Sequence, residues 1–367
     1  MRTKKILFIV HLPPPVHGVS VMNRIIKNST LINQAFSCDF INISLASGPD
    51  DFRKHRLLKY IKTCLVFFKT TAKLFKNSYD LAYITPFPFG VAFYKDALFI
   101  ALCKRFVPNI YLHLHTHGFK SAAKGPFKKR LYQKTFKSTQ VICLSQRLLE
   151  DIEGLYRGPI SIVPNGIPVI NTRNTYVLRE KPLQIVFLSN LISGKGVLLL
   201  LEAFKNLVLK GFSHQLVIAG ADADITRQQL IEYTQEHQLE SRVKILGPVY
   251  DAQKHELLQS SDLLVLPSNY DTFGLVLLEA MQFGLPCIAT SFGGIPDVLG
   301  DGRGILLKER SVGAIEQALE ELCEQPELRL QISQKAFAYF HEHFTQACFE
   351  KRCRDVLNGK PETLVYL

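Results

Sequence analysis

Residues 263–286 read LLVLPSNYDTFGLVLLEAMQFGLP, and this stretch indicates the fold class more clearly than any other. Four apolar residues predict a buried strand, the polar turn residues after them end it, and a helix is predicted to begin at Phe273 and Gly274. The backbone N–H groups of Gly274, Leu275 and Val276 would then point out of a helix N-terminus. Such a terminus is a binding site for an anion such as phosphate.

Two acidic residues of this stretch, Asp271 and Glu279, are eight positions apart. A carboxylate at Glu279 is suited to accept paired hydroxyls of a ribose, and Asp271 in the loop is suited to hold a sugar hydroxyl. The alternative is that Asp271 caps the helix and Glu279 is a solvated helix residue. The apolar neighbours Leu278 and Ala280 weaken that alternative for Glu279.

Outward from this stretch, short apolar runs alternate with segments of helical periodicity along the whole chain. Strands are predicted at 6–11, 40–44, 81–85, 110–115, 141–145, 160–163, 183–189, 215–219, 243–246, 263–266 and 287–290. Helices are predicted at 19–29, 54–76, 91–105, 126–137, 146–154, 196–210, 225–237, 252–259, 273–283, 311–324, 326–343 and 345–357. This alternation predicts an α/β protein with two Rossmann-like, doubly wound domains facing a central cleft.

The length of 367 residues fits two domains, and the hydrophobic fraction of 47% with 21% charged residues is that of a globular enzyme. A polar segment at 168–182 is the predicted linker. We therefore expect an N-terminal domain over 1–168, a C-terminal domain over 169–344, and a terminal helical segment over 345–367.

Charge is distributed unevenly between the two halves of the chain. Residues 1–180 contain 27 Lys and Arg against 9 Asp and Glu, whereas residues 181–367 contain 17 against 23. The first half is thus predicted to face an anionic partner. The eight cysteines form no metal or disulfide pattern, and no apolar run is long enough for a membrane span. The first residues do not form a secretory signal, which predicts a cytoplasmic protein.

The acid pair, followed by Ala-Met, Gly-x-Pro and the Gly293-Gly294 turn, resembles the retaining glycosyltransferases of the GT-B fold. More narrowly, it resembles glycosyltransferase family 4, also called group 1, whose pattern has Glu in the place of Asp271. The resemblance implies that Glu279 binds the ribose of a nucleotide-sugar donor and that Asp271 binds the donor sugar.

A second similarity to this family lies at residues 187–196, FLSNLISGKG. The family has an arginine and a Lys-Gly pair here, and both cations neutralise the donor diphosphate. Lys195 matches, whereas Asn190 stands in the place of the arginine, so one cation is missing. The alternative for Lys195 is a surface lysine.

Weaker similarities follow in the family's order. Gly220 and Gly247 end two strands that resemble its nucleotide-side strands, and Pro164-Asn-Gly166 resembles the end of its first domain. After the first strand, Gly18 matches one glycine of the family's phosphate-side loop, and His17 replaces the other. His17 is a candidate for supplying the missing positive charge.

Three histidines, His113, His115 and His117, alternate at the end of the fourth strand and would share one face if the strand extended that far. The family places a histidine near the reacting sugar, and either His115 or His117 matches it. His113 is predicted to be a core residue. A zinc site is the minority hypothesis, because no fourth ligand adjoins.

Basic residues and apolar residues alternate at helical spacing over Lys54–Lys76, and a second basic segment covers 120–137. The first segment predicts a basic amphipathic helix suited to an anionic membrane surface. The alternative is a solvated charged face. No nucleic-acid-binding motif accompanies the charge, so nucleic acid is not an expected partner.

The resemblance implies transfer of a hexosyl or N-acetylhexosaminyl group from a nucleotide sugar to a glycan or lipid-linked acceptor, with retention of configuration and without metal or cofactor. A role in bacterial surface polysaccharide synthesis, at the inner face of the membrane, would fit. The alternatives are an epimerase or hydrolase of the same fold and a non-catalytic sugar-nucleotide-binding subunit. A Rossmann oxidoreductase is disfavoured because its glycine motif is missing.

Overall fold

The computed structural model describes residues 2–44 and 56–366, with side chains throughout except at 56–59 and 366. These residues form two compact units. The first comprises Met1–Gly166 together with Gln346–Leu367, and the second comprises Ile167–Thr345.

The strands of the described residues have the following bounds: β1 Lys5–Val10, β2 Ser37–Asn42, β3 Leu81–Ile84, β4 Asn109–Leu114, β5 Gln140–Cys143, β6 Pro159–Ile162, β7 Gln184–Leu188, β8 Gln215–Ala219, β9 Val243–Leu246, β10 Leu263–Leu266, β11 Cys287–Thr290, β12 Ile305–Leu307 and β13 Leu364–Tyr366. The α-helices are α1 Gly18–Asn28, α2 Thr30–Ala35, α3 Arg56–Lys76, α4 Gly90–Phe106, α5 Phe119–Ala122, α6 Pro126–Phe136, α7 Val197–Leu209, α8 Arg227–Glu236, α9 Asp251–Ser260, α10 Leu275–Met281, α11 Ile295–Leu299, α12 Val312–Glu324, α13 Pro326–His343 and α14 Gln346–Leu357.

The first unit has one sheet in the order β2-β1-β3-β4-β5-β6-β13. Its strands are parallel except β13, which pairs antiparallel with β6. Because β2 lies on one side of β1 and the later strands extend on the other, the strand order reverses between β1 and β3. Helix α14 returns from the end of the chain and packs against α1 and α2.

The second unit has a fully parallel sheet in the order β9-β8-β7-β10-β11-β12. The second unit starts with β7 in the middle of the sheet. Strands β8 and β9 follow on one side of β7, and β10 then pairs with β7 on the other side. The strand order therefore reverses between β7 and β10. In doubly wound sheets, ligands bind at the carboxyl ends of the strands that flank this reversal.

Each unit has its own hydrophobic core, which is formed by almost fully buried apolar residues of the sheet and of the helices packed on it. Strands buried on both faces explain the near-continuous apolar runs, such as the fully buried Leu263–Leu266. The two parallel sheets with their helices confirm the predicted doubly wound α/β class.

The local predictions failed at element ends, in the type of one helix, and at short elements that were not predicted, namely α2, α5, α11, β12 and β13. Residues Gln146–Ile152 form a 3₁₀-helix rather than an α-helix. Helix α10 begins at Leu275, two residues later than predicted, because Gly274 has a left-handed conformation with φ of +73°. In the described part of the chain, no helix is both long and apolar enough to cross a membrane.

Candidate functional site

Two loops meet at the carboxyl end of the second sheet, where its strand order reverses. One follows β7 and the other follows β10, and the backbone N–H of Asn269 donates to the carbonyl of Gly194 at 3.0 Å. Gly196 has a φ of +85°, and a Cβ atom there would lie 2.3 Å from the carbonyl oxygen of Pro267. Only glycine allows this approach, which brings the end of the first loop against the second.

An ion pair joins these loops. The Lys195 Nζ atom lies 2.5 Å from Asp271 Oδ1, and both side chains are mostly buried, with exposed fractions of 12% and 18%. The second carboxylate oxygen, Asp271 Oδ2, is buried and has no hydrogen-bond partner among the described residues. Lys195 Nζ also lies 5.3 Å from the ring centre of Tyr270. The two residues predicted from separate motifs are thus brought together, with an acceptor oxygen available.

Asp271 does not cap the helix that follows it. The N-cap of α10 is Gly274, without a side-chain capping bond. Asp271 is held instead through its own backbone, whose N–H donates to Ser268 Oγ at 3.2 Å, and Ser268 is fully buried. The capping alternative is therefore wrong, and the carboxylate faces Lys195.

Sequence reasoning missed Arg310, whose hydrogen bonds hold the same two loops together. Its Nε donates to the carbonyl of Pro267 at 2.8 Å, and its Nη2 donates to the carbonyl of Ser193 at 3.1 Å. No sequence pattern links this arginine to the first loop, because it lies between β12 and α12, more than a hundred residues further along the chain. Its guanidinium adds a positive charge next to the loop that carries Asn190.

Glu279 is also paired. Its Oε1 atom accepts a hydrogen bond from Lys254 Nζ at 2.7 Å, and both side chains are about a quarter exposed. Lys254 belongs to α9 and was missed as well, since 25 residues separate it from Glu279 and no periodic pattern links the two. The hydrogen bond from Lys254 fixes the orientation of the carboxylate.

The remaining predicted donor residues have varied surroundings. Asn190 is exposed, and Phe273 is buried against Phe344 with ring centres 5.7 Å apart. Gly220 packs on the preceding loop, where a Cβ atom would lie 1.8 Å from the carbonyl oxygen of Ser189. Gly247 has open space around it, so packing does not require glycine there.

The first residues of α10, Leu275 and Val276, are half-buried. They begin a helix of only seven residues. The predicted anion site at this terminus stays a prediction.

In the first unit, His17 and Gly18 begin α1. His17 Nδ1 accepts from the backbone N–H of Ser20 at 3.3 Å, and Ser20 Oγ accepts from the backbone N–H of His17 at 2.9 Å. This is a capping box, which gives His17 a structural role. Its ring lies 6.4 Å from that of His11, at the end of β1, where burial lowers the pKa of His11 to about 3.

The three histidines after β4 separate into two environments. Strand β4 ends at Leu114, so the strict alternation does not extend to His117. His113 is fully buried and hydrogen-bonded through Nδ1 to the hydroxyl of Tyr83 at 2.5 Å, as predicted for a core residue. Its ring lies 4.0 Å from that of His115.

His115 and His117 differ in what they contact. His115 is buried, burial lowers its pKa to about 3, and the side chain of Asn165 is a hydrogen-bonding neighbour of its ring that acts in the opposite direction. His117 instead lies 3.6 Å from Asp151 Oδ1. Within the described residues, no group of three potential ligands is placed to hold a metal ion.

Solved structures with the GT-B fold superpose on this chain over nearly its whole length. Sucrose-phosphate synthase from Thermosynechococcus elongatus superposes with a TM-score of 0.74 at 17% identity, covering 97% of this chain and 98% of that chain. HepE from Anabaena, solved in complex with UDP and glucose, superposes with a TM-score of 0.70 at 19% identity, covering 97% of this chain and 100% of that one. The chain therefore has the GT-B fold.

At the level of sequence, residues 169–339 match the family described as glycosyl transferases group 1. This matched segment lies within the second unit. Among curated proteins, N-acetyl-alpha-D-glucosaminyl L-malate synthase of Bacillus anthracis is 33% identical over 198 residues, which is 51% of this chain and 50% of that protein. The chain spans about half the length of the curated relatives it matches.

Proposed function

We propose that the protein is a glycosyltransferase that moves a sugar from a nucleotide-sugar donor to a glycan or lipid-linked acceptor. The observation that carries this proposal is the Lys195–Asp271 pair at the strand reversal of the second sheet. An ammonium group suits a diphosphate, and the unpartnered Asp271 Oδ2 suits a sugar hydroxyl. Both groups lie on the loops where a doubly wound sheet binds nucleotides.

The remaining donor contacts are assigned to the same unit. Glu279, fixed by Lys254, would accept the ribose hydroxyls of the donor. Arg310 adds positive charge beside the loop in which Asn190 replaces the expected arginine. UDP-linked sugars are the first donors to test, because HepE was solved with UDP and glucose.

In the first unit, we assign the substrate-facing role to His115 rather than His117. The Asn165 side chain neighbours the His115 ring and can occupy only one ring nitrogen, which leaves the other without a partner among the described residues, whereas His117 pairs with Asp151. A buried imidazole with an unused nitrogen is suited to hydrogen-bond a substrate hydroxyl.

The proposed reaction breaks the bond between the anomeric carbon and the diphosphate oxygen and forms a bond from the acceptor oxygen to that carbon on the same face. The nucleoside diphosphate leaves with the bonding electron pair, and the proton of the acceptor hydroxyl goes to the departing phosphate. Lys195 would stabilise the negative charge that develops on the leaving group. No metal ion or cofactor is assigned to this reaction. Retention and the surface-polysaccharide role are supported by the sequence resemblance alone.

The first test is a thermal-shift screen with UDP, GDP, ADP, CMP and their common sugar conjugates. A ligand at a hundredfold excess over its Kd stabilises the folded protein by about 2.7 kcal/mol. A shift with one nucleotide that is lost in Glu279→Ala would support the donor site. Absence of any shift would contradict it.

Turnover then separates the proposal from its alternatives. Proton NMR of the anomeric signal, with lipid-linked and glycan acceptors present, reports transfer and the configuration of the product. Donor consumption without acceptor would indicate the hydrolase or epimerase alternative. Binding without any consumption would indicate a non-catalytic subunit.

A further inference from the structure

The first unit exposes an apolar face on α3. Its exposed large side chains are Tyr60, Ile61, Leu65, Phe68 and Phe75, and the fractions for Leu65 and Phe68 are 62% and 69%. The opposite side of the helix is anchored, since Thr70 and Leu74 are buried and the Phe67 ring lies 5.6 Å from the Phe99 ring of α4. The exposed residues therefore do not belong to the core of this unit.

Helix α4 extends this apolar face. Its residues Val91, Tyr94 and Leu98 are exposed, and the Phe106 ring packs at 4.9 Å on the Phe75 ring of α3. Sequence reasoning identified only the first helix. The exposed face thus spans two neighbouring helices, and we call it the α3–α4 face.

The fully exposed charges on the described part of α3, α4 and α6 are predominantly basic, and the partly exposed Lys73 of α3 is paired with Asp39. Residues 56–76 contain no Asp or Glu, and Lys62, Lys69 and Lys76 are exposed. The acid of α4, Asp96, is fully buried and pairs with Lys95 at 3.2 Å, so it does not offset the lysines at the surface. Helix α6, which contacts α4, adds the exposed Lys128, Lys129 and Arg130.

We propose that the α3–α4 face docks on an anionic lipid bilayer. Aromatic and aliphatic side chains would enter the headgroup boundary while the flanking lysines contact lipid phosphates, which is how amphipathic helices bind a membrane interface. Charge complementarity selects this occupant, because the described residues of the face combine exposed apolar area with exposed lysines and arginine. The proposal goes beyond the donor site, which lies in the other unit.

Vesicle cosedimentation tests this surface directly. The full chain is mixed with vesicles of phosphatidylcholine alone or with 30 mol% phosphatidylglycerol, a composition chosen so that charge dependence is visible at about 0.1 M salt. We expect binding to the anionic vesicles and little to the neutral ones. The double variant Leu65→Asp/Phe68→Asp should lose at least tenfold in vesicle affinity. Lys62→Glu/Lys69→Glu should lose roughly fivefold or more for each lysine.

Leu209→Asp is the matched control, because Leu209 is at least as exposed as Leu65 and Phe68, at 79%, but lies on α7 of the second unit. Thermal melting and UDP-induced stabilisation show whether each variant is folded with its donor site intact. Equal binding by the α3 variants and wild type, or equal loss in Leu209→Asp, would overturn the proposal. So would wild-type binding that does not depend on anionic lipid.

A fluorescent label provides a second readout that does not depend on a destabilising substitution. Cys64 is exposed on α3, whereas the other seven cysteines are buried or half-buried. An environment-sensitive fluorophore on Cys64 should shift to the blue with anionic vesicles and remain unchanged with neutral ones. An unchanged spectrum with both would contradict insertion at this face, whatever the outcome of the donor experiments.

Discussion

Replacing Lys195 with Met removes the positive charge of the Lys195–Asp271 pair while keeping most of the apolar length of the side chain. A hydrogen bond to a charged group contributes about 1.5–3 kcal/mol. Losing the hydrogen bond from Lys195 to the diphosphate should therefore raise the Kd for UDP by roughly 10- to 100-fold. Isothermal titration with UDP measures this change.

The matched variant Asp271→Asn should behave differently. Asp271 and an incoming diphosphate compete for Lys195, because in the free protein the ammonium group already lies 2.5 Å from the carboxylate. Neutralising Asp271 removes that competition, so bare UDP should bind as tightly as in wild type or more tightly. Sugar transfer should nevertheless fall, since the contact to the donor sugar is lost.

Stability gives an independent check on the same pair. In Lys195→Met the mostly buried Asp271 Oδ1 loses Lys195 as its partner, while Oδ2 already has none among the described residues, and leaving this acceptor unpaired costs about 1–3 kcal/mol. In a domain of this size each kcal/mol lowers the melting temperature by about 2–4 °C. The reasoning would be refuted if Lys195→Met bound UDP within twofold of wild type, or if Asp271→Asn weakened bare UDP as strongly as Lys195→Met.

Three further predictions follow from other contacts. Lys254→Met should weaken UDP binding about threefold to tenfold by freeing Glu279, which corresponds to about 0.7–1.4 kcal/mol, the net contribution of an ordinary hydrogen bond. An unchanged Kd by titration would remove Lys254 from the site. Gly196→Ala should lower the free energy of unfolding, measured in urea, by about 2 kcal/mol or more, because the φ of +85° and the 2.3 Å approach to Pro267 exclude a Cβ atom. Gly211→Ala is the control for backbone strain alone, since Gly211 has a φ of +92° but no neighbour within 4 Å. The pKa of His115 is about 3 in the folded protein and 6.5 in the unfolded chain. As the pH falls, the unfolded chain therefore binds the proton first, and the free energy of unfolding decreases between pH 6.5 and pH 3. The loss of unfolding free energy from His115 amounts to about 2 kcal/mol at pH 5 relative to pH 7.5. His115→Gln should reduce the difference in unfolding free energy between these two pH values, measured by urea denaturation, by about that amount, and an unchanged difference would contradict the assignment.

The sequence by itself determined the α/β class and most of the element positions. Periodicity and turn residues are local properties, so buried strands such as Leu263–Leu266 and long helices such as Pro326–His343 could be identified from neighbouring residues alone. Element ends were less accessible. The start of α10 depends on the left-handed backbone of Gly274, and the end of β4 at Leu114 separates His117 from the other histidines.

Candidate site residues that lie in recognisable motifs, such as Lys195 and Asp271, were also accessible from sequence. Their partners were decided by the tertiary structure. Lys195 and Asp271 are 76 residues apart and meet only because β7 and β10 are neighbours in the sheet, an order that no local pattern records. The same reason hid Lys254 and Arg310, which reach the site from α9 and from the segment after β12. Likewise, the extension of the apolar face from α3 to α4 depends on the packing of two helices. Local sequence determines what each segment becomes, whereas strand order and helix packing determine which side chains meet.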